Sequence, residues 1–282
     1  MKKVIVPQPK NDSLIAQLAA LYKTFKDIPP KENLEFDLSG LNWFCPLLIL
    51  PLSAYINVTN SKYAKNQNQS YLDTIKFPQG VDSISSFEQQ VQLYKTFIPI
   101  SVLKREKGSE RERLESLFVG MVYKIIGGAI LGAQNAIYYP LTELITNIFD
   151  HSKQNAGFVF GQFYPKKNYL DICIVDCGRG LAGAYKQEKN LIISDESAIK
   201  EVMEGNSTKP NNERGYGVRT SKKVVCEGLK GGFVLISGAA ALFSSDKNEK
   251  LISLKDFYWQ GVIIAYRMPK PTGSIDISKY LE

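Results

Sequence analysis

Residues 142–152 read TELITNIFDHS, and the periodicity around them decides the fold. Leu141, Leu144, Ile145, Ile148 and Phe149 recur at i, i+3, i+4, i+7 and i+8, which is one apolar face of a helix. Glu143, Asn147 and Asp150 fall at i, i+4 and i+7 on a different stripe. Tyr139-Pro140 predicts the helix start, because proline suits the first turn, where its missing N–H costs nothing. A core helix is thus expected to aim two carboxylates and an amide at something other than the core.

Downstream of this helix the period changes to two. GFVFGQFY and YLDICIV flank Pro165-Lys166-Lys167-Asn168, which predicts a hairpin. GGFVLIS (231–237) and GVIIAYR (261–267) supply two further strands. Upstream, Leu114–Ile126 predicts another helix. Helices and antiparallel-looking strands in this order predict an α/β sandwich with helices on one face of a mixed sheet.

The first 82 residues predict a separate small α/β unit. A strand (Val4–Val6) leads to a helix capped by Asp12-Ser13 and running from Leu14 to Phe25. A second strand (Leu34–Leu38) and a helix (Pro46–Val58) follow. Residues 83–112 are polar and charged, with one apolar island at Phe97–Leu103, and suggest a connector. The remainder, 113–282, forms the second domain.

Composition bounds the partners. The chain has 282 residues, 44% of them hydrophobic, and a formal net charge of +7, which is globular and soluble in character. The charge suits an anionic ligand, but Lys104-Arg105-Glu106-Lys107 and Arg111-Glu112-Arg113 are mixed in sign, and nothing concentrates charge as a nucleic-acid-binding arm does. The four cysteines show no CxxC spacing and the only histidine is His151, which argues against zinc and for reduced thiols in a cytoplasm. The longest apolar run, Trp43 to Val58, is broken by Pro46 and Pro51 and falls short of the ~20 residues a membrane span needs.

Two further motifs carry chemistry. Strand YLDICIV ends in Asp176-Cys177-Gly178-Arg179-Gly180, a D-x-G-x-G in which glycines permit positive φ or close backbone approach. The aspartate suits an exocyclic amine, although such a turn is equally an ordinary corner. The stretch GNSTKPNNERGYGVRT (205–220) brings Gly215-Tyr216-Gly217 to the start of an apolar-periodic segment, with Lys209 and Arg214 nearby. Glycine-rich entry to a helix N-terminus offers N–H groups to phosphate. It is not a Walker A loop, and alone it also describes a plain surface loop.

Taken in order, Glu143-x-x-x-Asn147-x-x-Asp150, D-x-G-x-G and the G-Y-G loop resemble the ATP-binding domain shared by DNA gyrase, heat-shock chaperones, mismatch-repair ATPases and histidine kinases, the GHKL or Bergerat fold. The resemblance spans roughly residues 113–270. It implies a two-layer α/β sandwich that binds ATP with Mg²⁺. Asn147 would hold Mg²⁺ against the phosphates, Glu143 would be the general base, and Asp176 would bind the adenine amine. Gly178 and Gly180 would shape the adenine pocket. Residues 205–217, with Lys209, Arg214, Gly215, Tyr216 and Gly217, would cover the phosphates, and Asp150 would join the nucleotide site.

Within that family the chain departs from histidine kinases, which carry lysine where Asp150 stands. E-x-x-x-N-x-x-D resembles the hydrolysing members, whereas TELITNIFDHS also resembles the anti-sigma switch kinases, which often have a histidine at the place of His151. Gly261-Val262 replaces the Gly-Thr common in the last strand. The N-terminal LEFDLSGLNWFCPLLILPLSAY resembles STAS domains, yet Pro46, Leu47 and Leu48 stand where a phosphoacceptor serine would lie. That implies a docking or oligomerising module. The expected function is an Mg-ATP-binding switch with slow hydrolysis that controls a protein partner, with a homodimer open as its assembly. The alternatives are a serine/threonine kinase of the anti-sigma type and a non-hydrolysing nucleotide-binding scaffold in a bacterial regulatory or defence operon.

Overall fold

The computed structural model describes residues 1–64, 67–91, 96–126, 130–206, 208 and 216–281. It is a mixed α/β chain with a three-stranded parallel sheet and a seven-stranded antiparallel sheet. The small sheet, in the order β1-β2-β3, is built from Lys2–Ile5, Leu34–Asp37 and Lys62–Ala64. Helix α1 (Leu14–Phe25) starts where Ser13 accepts the Ala16 N–H at 3.2 Å, a side-chain cap for an otherwise orphan donor. Helix α2 (Pro46–Thr59) is buried on every side from Pro46 to Ile56. An all-round apolar helix needs cover on all sides. Here α1 covers one side and the large sheet another.

Short helices α3 (Gln69–Thr74) and α4 (Ile84–Gln90) lead into strand β4 (Phe97–Lys104), then α5 (Gly108–Ile126) and α6 (Ala133–His151). Strands β5 (Ala156–Tyr164) and β6 (Tyr169–Asp176) form the expected hairpin, closed by Asn168 at φ +58°. Helices α7 (Gly180–Lys189), α8 (Asp195–Glu204) and α9 (Gly217–Lys223) precede β7 (Gly232–Gly238), β8 (Ala240–Ser245), β9 (Glu249–Ser253) and β10 (Trp259–Pro269). The large sheet runs β4-β5-β6-β10-β7-β8-β9.

Alternation along β6 sorts its side chains between two cores. Ile172 and Ile174 join α5 and α6 on the front face, while Cys173 and Val175 join α1 and α2 on the back. This explains why YLDICIV reads as an unbroken apolar run, since a strand covered on both faces has no polar side. The sheet therefore differs from the expected mixed sheet with helices on one face. Its seven strands pair antiparallel throughout, with one isolated parallel bridge from Val81 to Ser101 at the β4 edge, and the N-terminal unit fills its back.

Three further expectations change. The supposed connector 83–112 contains α4, the strand β4 and the first turn of α5. Its apolar island is a buried strand paired with β5, Lys104 is the last residue of that strand, and the charges from Arg105 onward follow it. Helix α6 starts at Ala133, seven residues before Pro140, because Ala133, Ala136 and Ile137 carry the buried face upstream. Pro140 thus lies inside the helix, and the Thr142 hydroxyl donates to the Tyr138 carbonyl at 2.9 Å. Strands β8 and β9 are additional to the expected ones: β8 is a short, mostly buried segment with no clear alternation, and β9 is short with exposed Glu249, Lys250 and Ser253.

Candidate functional site: a cleft between α6, α7 and the sheet

The apolar stripe of α6 is buried as its spacing requires, with Leu141, Leu144, Ile145, Ile148 and Phe149 all in the front core. Beside it, Glu143 and Asn147 open on a cleft with about 970 Å³ of non-protein space that reaches solvent. Its floor is apolar, from Ile174, Leu235 and Ile264 on the sheet and Leu144 and Ile148 on α6. Its other wall is Gly180, Leu181, Ala184 and Tyr185 of α7, with Gly217 and Val218 opening α9. A concave, mostly apolar space with a few convergent polar groups is the usual form of a small-molecule site.

Asp176 ends β6 and lines this cleft while only 4% exposed. Burial pushes its carboxyl up to about 7, and the backbone N–H groups of Gly178 and Val262 only partly offset that. The Gly178 N–H donates to Oδ1 at 2.8 Å. Gly178 itself packs so tightly on the Ser152 backbone that a Cβ there would lie 2.4 Å from the Ser152 carbonyl oxygen. Gly180 takes φ +68°, which starts α7 directly after the strand. The buried Ser237 hydroxyl ties this corner together. It accepts the Leu181 N–H at 2.9 Å and donates to the Gly261 carbonyl at 3.1 Å.

Two polar groups of the cleft make no side-chain hydrogen bond among the described residues. The Asn147 Nδ2 is buried with no hydrogen bond, a costly state for a polar atom unless a ligand or water completes it. Glu143 makes no hydrogen bond among the described residues, and its carboxylate lies over the Cα of Gly217. Cation-holding clusters of three or more His, Cys, Asp or Glu are absent among the described residues. No described helix is long and apolar enough to cross a membrane.

The cleft gathers Glu143, Asn147, Asp176, Gly180 and Gly217 from the expected set, with Gly178 behind Asp176. Asp150 is exposed and does not line it. The lining stripe follows i+4 steps, which advance about 40° each, whereas Asp150 at i+7 falls about 20° back the other way. Tyr216 packs its ring on Gly205 and does not line the cleft. Lys209, Arg214 and Gly215 lie outside the described residues, as does the His151 side chain. Tyr185 and Asn206 were not foreseen. The Tyr185 hydroxyl donates to the Asn206 carbonyl, joining α7 to the segment after α8. Only the periodicity of Leu181, Ala184 and Tyr185 after Gly180 hints at that wall.

Compared with known protein families, with curated proteins and with solved structures, the chain gives no match in any of the three.

Proposed function

We propose that this chain is an Mg-ATP-binding molecular switch with slow ATP hydrolysis that controls a protein partner, built on a Bergerat-type sandwich of the large sheet and its front helices. One observation carries the reading. A buried strand-end carboxyl, Asp176, and an unpaired buried amide, Asn147, open on the same apolar-floored cleft as Glu143. An aromatic base fits the apolar floor, and an exocyclic amine fits Asp176, which otherwise pays for burial with backbone partners alone.

The donor set suits a magnesium ion that arrives with phosphates. Mg²⁺ keeps several waters and needs only one or two protein oxygens, and the Asn147 side-chain oxygen can offer one. Bound there, Mg²⁺ would neutralise phosphate charge. Glu143, with no side-chain hydrogen bond among the described residues, would hold the proton of an attacking water. The four free cysteines suit a reducing cytoplasmic setting.

Calorimetry tests the assignment. Asp176→Asn should weaken ATP binding about tenfold or more, as expected when a buried hydrogen bond worth about 1–3 kcal/mol is lost. GTP, lacking the 6-amino group, should compete poorly. Equal affinity for ATP and GTP would remove the base-pocket assignment.

A further inference from the structure

The back of the sheet reaches the cleft through one residue. Trp259 opens β10, is 3% exposed, and does not line the cleft. Its indole N–H donates to the backbone carbonyl of Asp176 at 3.1 Å. Its ring stands edge-on to Phe25, the last residue of α1, at 5.4 Å and 84°, and tilted against Tyr55 of α2 at 6.5 Å. Phe25 and Tyr55 touch each other at 5.2 Å. The N-terminal unit therefore holds the ring, and the ring holds the strand end that carries Asp176.

The strand end has little room to absorb a shift. The register between β10 and β7 slips between Trp259 and Val262, and Gly261 takes φ +121° inside that irregularity. A Cβ on Gly261 would lie 2.2 Å from the same Asp176 carbonyl oxygen. That oxygen is thus enclosed by the indole N–H and by the Gly261 backbone. Displacing Trp259 must move the Asp176 peptide, and with it the turn in which Gly178 donates to the Asp176 carboxylate. Beside the aromatic cluster lies a shallow, solvent-open depression bounded by Ile28, Pro29, Tyr55, Cys177 and Trp259.

We infer that Trp259 is a positioning residue that transmits the packing of the N-terminal unit to Asp176, so that the state of α1 and α2 sets ligand affinity in the cleft. The consequence for nucleotide rests on the function proposed above. The mechanical link does not, and it is measured without ligand.

Hydrogen exchange on the ligand-free full chain reads the link. Trp259→Phe keeps a ring and removes the N–H, and exchange across residues 174–181 should accelerate about tenfold or more while β4 and β5 stay protected. Tyr55→Leu should accelerate the same segment in the presence of Trp259 and add nothing in the Trp259→Phe background, a non-additive cycle. If Trp259→Phe does not fold, β-(3-benzothienyl)alanine at 259, which replaces only the N–H by sulfur, serves instead. The chain has two tryptophans, so in Trp43→Phe the emission of Trp259 alone should change on adding Mg-ATP. ATP affinity should fall about tenfold in Trp259→Phe. Unchanged exchange at 174–181, acceleration spread over the whole chain, or additive effects of Tyr55→Leu and Trp259→Phe would each overturn the inference. A local, non-additive exchange response in a protein that binds no ATP would keep the link and discard the nucleotide.

Discussion

Glu143 and Gly217 meet so closely across the cleft that a Cβ on Gly217 would lie 2.3 Å from the Glu143 Oε2. One residue belongs to α6 and the other is the first of α9, so the contact sets where the carboxylate can rest. The obstructed atom is the end of a flexible side chain, and a methyl group at 217 can push it aside without disturbing backbone. Gly217→Ala should therefore fold with little change in melting temperature. If Glu143 is the base, turnover should drop about tenfold or more, because a misplaced base loses its reach to the proton. Normal turnover in a variant whose carboxylate has demonstrably moved would separate Glu143 from the chemistry.

Asn147→Ala removes a buried amide that has no hydrogen-bond partner among the described residues. In the absence of ligand it should cost little stability, and it even deletes an orphan buried nitrogen. Its effect should appear when ATP is titrated with and without Mg²⁺. Wild type should bind more tightly with the metal, and the variant should bind about equally in both. A wild-type metal dependence persisting in the variant would move the metal to another residue.

Asp176 makes both stability and binding depend on pH, in opposite directions. Its folded-state value of about 7 lies above the ordinary 3.8, so the folded chain holds this proton more tightly than the unfolded chain. That contribution to stability is complete below about pH 4 and is lost as pH rises through about 7. Asp176→Asn should flatten the urea-unfolding profile over that window and exceed wild type in stability above it. Affinity for an amine-bearing base should rise through the same window in wild type, as the carboxylate ionises, and stay flat in the variant. An Asn variant as pH-sensitive as wild type would assign the titration to another group.

The N-terminal unit should prove inseparable from the rest. Phe158, Phe160, Val175, Val234, Ile236 and Ile263 of the large sheet share one core with Phe25, Phe36 and Leu47, Leu48, Ile49, Leu50, Leu52, Ala54, Tyr55 and Ile56 of α2. Asp171, buried on β6, is held by Arg267 at 2.7 and 2.8 Å and by Gln17 of α1 at 3.2 Å. A chain beginning at residue 83 would expose that apolar face and unpair part of the charge network. It should aggregate or bind a hydrophobic dye, as judged by sedimentation and fluorescence. A soluble, monomeric 83–282 fragment would restore the detachable module that the STAS resemblance implies.

The same residues show what the chain's own order can and cannot reveal. The Ser13 cap and the α6 stripe are local patterns, and both stand where their spacing puts them. Glu143 and Asn147 followed from one helical turn, and Asp176 from a strand end. Pro140 misled, because a proline normally opens a helix, and only the burial of Ala133, Ala136 and Ile137 reveals the earlier turns. The apolar island at 97–103 looked like a connector because its charges dominate the window. Its pairing with β5 depends on residues more than fifty positions away. Trp259, Tyr185 and Ser237 act through such distant partners as Phe25, Asn206 and Gly261, which no local period encodes.

The remaining prediction separates a switch that turns over from one that only binds. Glu143 touches no other side chain by hydrogen bond among the described residues and sits in the cleft beside Asn147. If its carboxylate takes the proton from the attacking water, Glu143→Gln should reduce turnover about 10²–10⁴-fold. Nucleotide affinity should survive, because the side chain keeps its size and polarity and the base contacts the nucleophile, not the ligand. The variant should then accumulate in its ATP-bound form and hold a partner, or a second copy of the chain, more firmly than wild type does. Single-turnover hydrolysis and ATP affinity measured side by side decide between the outcomes. A wild type that neither hydrolyses ATP nor passes phosphate to a protein would leave a binding scaffold. Hydrolysis by Glu143→Gln at the wild-type rate would mean that another group is the base.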